Sequence, residues 1–431
     1  MYFRAAWIGD LMVRFDSMIS RRILLLAATF GGVGILAGCS APVAGGGPAS
    51  NGSANAVLAA AAPDVTVTPV DHATGVALDA PVTVTSNIGT LTSVSVTKVG
   101  GAAVPGAIAD DGRTWTASDG LDLAAQYQVT ANASGPGGTH TSTAVTFATV
   151  RSVSARLLTT STPDDGATVG VGAPVDLHFN TSVPQAQRAA LVQHLHVVSN
   201  PPQTGGWHWF DGASLHYRPE NYWQSGTTVT VTANFHGLNA GNGVYGLASW
   251  TKSFTVGAKH VSMIDDTTHT MKVYTNDQLV NTWPVSLGKS GFRTLEGTLV
   301  VLYKAQKVMM DSCSTFGGAA CHPGGANYYH DYVYWDTAVS TNGFFIHAAP
   351  WSEGSQGFAD VSHGCINLST SHAATYYSYA IPGDVVIISH TGNIADLSNG
   401  EADWQIPFAQ WDNSGVAQGS NTAPPSTAGG P

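Results

Sequence analysis

The sequence predicts a mainly β chain: two tandem antiparallel sandwiches, then a third, β-rich domain that carries the chemistry. Apolar residues recur with period two at Val65/Val67, Val82/Val84, Val94/Val96, Tyr127/Val129/Ala131 and Val145/Phe147, the alternation that buries one face of a strand. Gly, Pro, Asn and Asp interrupt the runs about every 8–12 residues, the spacing of short sandwich strands. The plan is then written twice. Pro69 to Pro81 resembles Pro163 to Pro174, and Val129-Thr130-Ala131-Asn132 recurs as Val231-Thr232-Ala233-Asn234. Two similarities in one order imply tandem modules.

Composition narrows the class. The chain has 431 residues, enough for about three domains. Lys and Arg number 17 and Asp and Glu 28, so charged residues make up 10% and the net charge is −11. An ordinary globular chain carries about 25% charge. A nucleic-acid binder would show a basic footprint, so nucleic acid is not an expected partner.

The N-terminus sets the compartment. Ser20-Arg21-Arg22 precedes an apolar run from Ile23 to Ala37, then Gly38-Cys39-Ser40. Charged start, apolar core and small residues are the parts of an export signal, and the run falls short of the ~20 residues that span a bilayer. Leu36-Ala37-Gly38-Cys39 resembles a bacterial lipobox, which makes Cys39 the expected lipid-bearing residue. The paired arginines resemble a twin-arginine signal, and Met18 is an alternative start. Residues 1–39 are thus read as export signal. Residues 40–62, rich in Gly, Ala and Ser, read as a flexible linker reaching about 25 Å root-mean-square. The expected location is the outer face of the cell membrane, held by the N-terminal lipid and reaching into the wall.

Residues 63–150 and 151–256 are the two sandwiches, and both resemble the bacterial immunoglobulin-like modules of exported proteins. Trp207, Trp209, Tyr217 and Trp223 in the second are expected in its core rather than on a sugar-stacking surface, because large aromatics dominate sandwich cores. Neither module carries a cysteine or a titratable cluster that suggests chemistry, so both read as spacers.

From Lys259 the pattern changes. Val261/Met263, Met271/Val273, Trp283 to Leu287 and Thr298 to Tyr303 read as strands joined by short turns. Phe344-Phe345-Ile346-His347 follows, then fourteen residues, then Ser362-His363-Gly364-Cys365-Ile366-Asn367. A cysteine among histidines suggests a thiol nucleophile. A free thiol of pKa about 8.5 is a few per cent ionised at neutral pH, and an imidazole that takes its proton makes it reactive. Gly364 lets the backbone turn sharply and aim N–H groups at an oxyanion. An apolar strand ending in His347 holds the base on a rigid element.

Other chemistries fit less well. His322, His330, His347, His363, His372, Cys321 and Cys365 crowd a short stretch, but their spacing is not that of a zinc site, and no metal or organic cofactor is expected. Asp164/Asp165 and Asp265/Asp266 fall at expected turns, where Asp makes local hydrogen bonds, which argues against a glycosidase pair. A sortase-like enzyme needs an arginine, and none follows Arg293. A non-catalytic wall-binding protein would not need His347, Cys365 and Asn367 intact.

His347, fourteen residues, then Ser-His-Gly-Cys-Ile-Asn resembles the signature of the L,D-transpeptidase catalytic domain. The resemblance runs from about Ala258 to Gln410. It takes in Met310-Asp311-Ser312, Trp335, Ala349-Pro350-Trp351-Ser352 and Asp403 to Pro407, all similar to mycobacterial and related actinobacterial members. Residues 257–412 are therefore read as the catalytic domain with a Trp-rich extension, and 413–431 as a disordered tail. Trp404, Ile406, Phe408 and Trp411 are expected to pack on the catalytic domain, and a tail that is the family's bridge would buttress the second sandwich too.

The resemblance implies roles. Cys365 attacks the carbonyl of the diamino acid in a peptidoglycan tetrapeptide stem, and D-Ala leaves. His347 is the base, oriented by the main-chain carbonyl of Ala348. His363, Gly364 and Cys365 offer N–H groups to the oxyanion. Tyr329 is the lid tyrosine, and Met310, Trp351 and Asn367 complete the substrate-binding set. Asn367 is expected chiefly to brace the nucleophile turn. A second stem's amine resolves the acyl-enzyme into a 3→3 cross-link; water would instead give L,D-carboxypeptidase action. Carbapenem-type β-lactams are implied inhibitors. The run 310–317 carries one extra residue, with Phe316 where relatives often have tyrosine. Cys313 and Cys321 remain once Cys39 and Cys365 are assigned, and in an oxidising exported setting they are expected to pair. Capture of Cys365 by a lid cysteine is the alternative.

Overall fold

The computed structural model describes residues 61–415. The export signal with Cys39, nearly all of the 40–62 linker and the tail beyond 415 lie outside the described residues.

In the first module, strands Val65–Thr68, Thr83–Ser86, Thr114–Ala117 and Gly106–Ile108 form one sheet in that order. Ala73–Val76, His140–Thr149, Gln126–Ser134 and Thr90–Lys98 form the other. Their inner faces bury Val67, Val84, Trp115, Tyr127 and Phe147. The second module repeats this order strand for strand: Thr159–Thr162, Val175–Phe179, Ser214–Pro219, Gly205–Trp209, and facing it Thr168–Val169, Trp250–Val256, Thr228–Ala233, Leu195–Asn200. The repeated Val-Thr-Ala lies on the corresponding strand of each module. Its valines and alanines face inward, with Val129, Ala131, Val231 and Ala233 all buried. Trp207, Trp209, Tyr217 and Trp223 are core residues, each at most 6% exposed.

The third domain has nine strands in two sheets. β1 (His260–Asp265), β2 (Thr270–Thr275), β3 (Gln278–Pro284), β4 (Gly297–Val300) and β9 (Val385–Ser389) make a sheet of order β3-β2-β1-β9-β4. β5 (Tyr303–Asp311), β6 (His330–Ala338), β7 (Phe345–Ala348) and β8 (Ile366–Leu368) make the second, in sequence order. Two helices matter to the site: α1 (Ser312–Phe316), capped by the Asp311 carboxylate on the Cys313 N–H, and α2 (Thr370–Tyr379), capped by Ser369 on the His372 N–H. Ile264, Met271, Val273, Ile346, Ile366, Leu368 and Tyr376 meet in the core between the layers. On β1 the inward residues are Ser262 and Ile264, while Met263 is 46% exposed. Ser262 faces inward because its hydroxyl bonds the Tyr376 hydroxyl, 3.2 Å away.

The C-terminal extension packs on both neighbours: Gln405 lies against Gly297 of the catalytic domain and Ala402 joins its core, while the tryptophans dock on the second sandwich. Trp404 Nε1 donates to Gly172 O at 2.8 Å and Trp411 Nε1 to Gly206 O at 2.7 Å. The Arg218 guanidinium lies 4.5 Å from the ring centres of both tryptophans, a cation–π arrangement strengthened by desolvation. Gly170 and Gly172 also donate to Pro382 O and Gly383 O, and a β-carbon on Gly170 would overlap Asp384 N at 2.2 Å. Bare backbone lets the sandwich and the catalytic domain approach this closely.

Candidate active site

Adjacent strands bring the base and the nucleophile together. β7 and β8 run parallel with Ile346 opposite Ile366 and His347 opposite Asn367. Cys365, one residue before β8, is therefore level with Phe345 and on the face that His347 shares. His347 is buried, and its Nδ1 lies 2.9 Å from Ala348 O, the backbone partner the resemblance implied. Nδ1 donates to that carbonyl, which leaves Nε2 as the acceptor. The Cys365 thiol is half-buried and points at Gly343 O, 3.6 Å away.

Burial keeps both groups neutral. It pulls His347 down to about 4, and the Ala348 carbonyl offsets this only in part. It pushes the Cys365 thiol up to about 12 against the opposing Phe345 N–H. The resting pair is thiol and imidazole, not thiolate and imidazolium, because each charged form is desolvated.

Ser362 shapes the nucleophile turn. Its hydroxyl donates to Cys365 O at 2.6 Å and accepts from the Gly364 N–H at 3.0 Å. The Gly364 N–H is thus engaged by Ser362 Oγ, and what the structure shows of Gly364 is its conformation. Its φ is +124°, and a β-carbon there would sit 2.6 Å from the Phe344 ring. Ser362 N donates to Leu287 O and Lys289 N to Ser362 O, each at 3.0 Å, which pins the turn to the neighbouring loop.

His363 builds a wall beside the thiol. Its Nε2 lies 2.9 Å from Lys289 Nζ and 3.3 Å from Asn327 Oδ1. Burial, then the Lys289 charge, holds its imidazole below the ordinary value. Phe292, Tyr329 and Phe316 stand around the ring at 4.9, 5.2 and 6.0 Å between centres. Tyr329 thus reaches the site, as the resemblance implied, and burial raises its hydroxyl pKa.

The lid between β5 and β6 is braced twice. Cys313 and Cys321 are disulfide-bonded, leaving Cys365 as the free cysteine among the described residues. The fully buried Ser312 hydroxyl bonds Ala320 O at 2.7 Å and Tyr329 O at 2.8 Å. Phe316, 41% exposed, packs its ring on Phe292, Tyr329 and His363, so no hydroxyl stands at that point of the lid.

The remaining expected residues separate. Trp351 is 64% exposed with its ring 6.2 Å from that of His347. Met310, half-buried, pairs with Asp331 on the lid strands. Asn367 is buried and its Nδ2 donates to Ser352 Oγ at 3.1 Å. Its side chain braces the segment after β7. His322, His330 and His372 do not join the pair; His372 stacks on Trp283. Lys289, Phe292 and Asn327 come from loops whose sequence gave no periodic or motif signal. Two acid–histidine clusters lie away from the thiol, Asp176–His216–Asp403 and Asp266–His269–Asp360.

A thiol on a glycine turn, a buried neutral imidazole with a free Nε2, and an aromatic lid define a cysteine acyl-transfer enzyme on a mainly β scaffold. Residues 259–388 match the L,D-transpeptidase catalytic domain, and residues 73–239 match the bacterial Ig domain. L,D-transpeptidase 2 of Mycobacterium tuberculosis is 35% identical over 81% of this chain and 84% of its own length. L,D-transpeptidase 5 of the same species is 33% identical over 81% and 76%. A crystal structure of L,D-transpeptidase 3 from Mycobacterium tuberculosis with a faropenem-derived adduct is 28% identical. It covers 55% of this chain and 98% of that one at a TM-score of 0.45. The chain belongs to the L,D-transpeptidase family.

Proposed function

We propose that this L,D-transpeptidase forms 3→3 cross-links between peptidoglycan stems through a Cys365 acyl-enzyme. The observation that carries the reading is His347 and Cys365 on one face of adjacent parallel strands, the imidazole held by Ala348 O with Nε2 free. When a tetrapeptide stem fills the lid, Nε2 takes the Sγ proton as sulfur bonds to the carbonyl of the third residue. The oxyanion draws on the His363 and Cys365 N–H groups, since Gly364 is engaged by Ser362. The C–N bond breaks, the His347 proton goes to the departing D-Ala amine, and a thioester remains. The amine of a second stem then attacks, gives its proton to His347, and expels the sulfur. Each removed oxyanion donor costs about 3 kcal/mol.

Within this reading the lid wall of Tyr329, Phe316 and Phe292 excludes water, which favours an amine acceptor over hydrolysis. Carbapenem-type β-lactams acylate the same thiol. The same reading has residues 1–39 act as an export signal and a lipid on Cys39 hold the enzyme at the outer face of the cell membrane, with the sandwiches as spacers; the composition of the N-terminal stretch supports it. Incubation of the full chain with tetrapeptide-stem fragments, followed by mass spectrometry, tests the activity. The expected product is a 3→3 dimer with one D-Ala released per dimer. Release of D-Ala with tripeptide as the sole product would instead assign carboxypeptidase action.

A further inference from the structure

Asp336 is a carboxylic acid sealed inside the catalytic domain, and the chemistry above does not use it. It is fully buried. Among the described residues it is the one buried aspartate with neither carboxyl oxygen hydrogen-bonded to another residue. Asp176, Asp266, Asp384 and Asp403 each keep a bonded oxygen, on Thr162, Arg293, His260 and His216 respectively. An unpaired buried carboxyl is costly, and such costs persist mainly where a site uses them.

Its place is specific. β6 and β7 pair with Ala338 opposite Phe345, Thr337 opposite Ile346 and Tyr334 opposite Ala348. Trp335 and Asp336 therefore share His347 as their partner, a bulge at which Trp335 takes φ +58°. Alternation from Ala338 puts Asp336 on the face of Phe345, His347 and Cys365. Strand order then sets Asp336, His347 and Cys365 side by side with the imidazole in the middle. The Asp336 charge is felt at Cys365 and at Tyr303 on β5. Other titratable groups of the packed elements are engaged elsewhere. Lys304 Nζ donates to Tyr377 O, Lys307 Nζ lies 3.8 Å above the Tyr332 ring, and Tyr376 on α2 bonds Ser262.

We infer that Asp336 is a positioning residue for acyl transfer: its carboxylate, one strand from His347 and two from Cys365, is the countercharge for the imidazolium formed when His347 takes the thiol proton. Ala348 O orients the ring but carries no net charge. Once sulfur bonds to the substrate, the thiolate no longer balances the buried cation, and the charge moves onto an oxyanion held by backbone N–H groups. Asp336 takes no proton in this step. Burial raises Asp336 to about 7, so the ionised, supporting form accumulates as pH rises through that value.

The inference rests on His347 and Cys365 being the acyl-transfer pair. The test follows Cys365 acylation by a carbapenem on the full chain, by intact mass, from about pH 5 to about pH 9, for wild type, Asp336→Asn and Asp336→Ser, with thermal unfolding of each. Wild type should accelerate about tenfold through about pH 7, and Asp336→Asn should lose that limb and run about tenfold slower at the alkaline end. The amide should unfold no lower than wild type at alkaline pH. The folded acid keeps its proton to about 7 while an unfolded Asp loses it near 3.9, so the native carboxyl costs stability as pH rises above that lower value. Asp336→Ser supplies the same comparison if the amide fails to fold. Variants that share the wild-type pH profile, or that lose rate only in step with stability, overturn the inference. A wild-type chain that gains no Cys365 adduct overturns the acyl-transfer reading as well.

Discussion

Gly364→Ala tests how far the nucleophile turn depends on one missing carbon. At φ +124° an L side chain is strained, and its β-carbon would lie 2.6 and 3.2 Å from Phe344 Cε1 and Cδ1. Backbone strain of this kind costs about 1–3 kcal/mol, and overpacking a filled site about 1–3 kcal/mol. Together they come to about 4 kcal/mol, or about 8–16 °C in the unfolding temperature of a domain of this size. Relaxation would pull the Gly364 N–H off Ser362 Oγ and carry Cys365 with it. A displacement of about 1 Å at the reacting atom costs about a hundredfold in rate. Differential scanning calorimetry and the acylation rate of Cys365, measured on the same sample, separate the two effects. Adding Phe344→Leu should recover the overlap part of the stability loss but not the rate. If Gly364→Ala unfolds within about 2 °C of wild type and acylates within about threefold, the account of this turn is wrong.

Three further outcomes follow. Replacing Cys313 and Cys321 by serine frees a lid loop whose closure is worth about 2–3 kcal/mol on the chain-entropy model; acylation should slow about tenfold, with faster amide exchange confined to residues 311–329. Asn367→Ala removes one donor to the buried Ser352 hydroxyl, which keeps its bonds to Ala349 O and Gln356 Nε2, and should cost about 0.5–1.5 kcal/mol while kcat/KM for the folded enzyme stays within about threefold; a loss of kcat/KM without a loss of stability would assign Asn367 to the substrate site. Docking of the C-terminal extension should weaken at alkaline pH. Burial lowers His216, but the Asp176 and Asp403 charges outweigh it and raise the imidazole to about 9. With an unfolded value near 6.5, that support is complete below about 6.5 and is lost as pH rises through about 9. Amide exchange over residues 403–413 should rise across that window, and His216→Gln should flatten the rise.

The two sandwiches and the thiol–imidazole pair were readable because each leaves a regular mark. Alternating valines report a half-buried strand, and the spacing of His347 from Ser362-His363-Gly364-Cys365 reports a pair of strands joined by a fixed excursion. The face of a strand was harder: on β1 Ser262 and Ile264 enter the domain's own core, while Val261 packs towards the second sandwich and Met263 is exposed, because a hydroxyl with a buried partner replaces an apolar residue. The bond from the Gly364 N–H to Ser362 Oγ, two residues back, was not legible, because side-chain hydrogen bonds of this kind leave no mark in spacing. Trp404 and Trp411 were recognisable as packing residues, but their partner, Arg218 beneath a cation–π stack, lies almost two hundred positions away. Asp336 gave no signal, since an acid at a strand bulge reads as a strand end until the register is known.

The central claim is that Cys365 carries the donor stem as a thioester made with His347 as base. Its most direct test is intact and peptide-mapped mass of the full chain exposed to a tetrapeptide stem with no acceptor amine, alongside Cys365→Ala and His347→Gln. The account predicts an adduct on Cys365 equal to the stem less D-Ala. It also predicts no adduct on Cys365→Ala, and formation slowed about 10²–10⁴-fold in His347→Gln. An adduct on another residue, or 3→3 dimers formed at wild-type rate by Cys365→Ala, would contradict it.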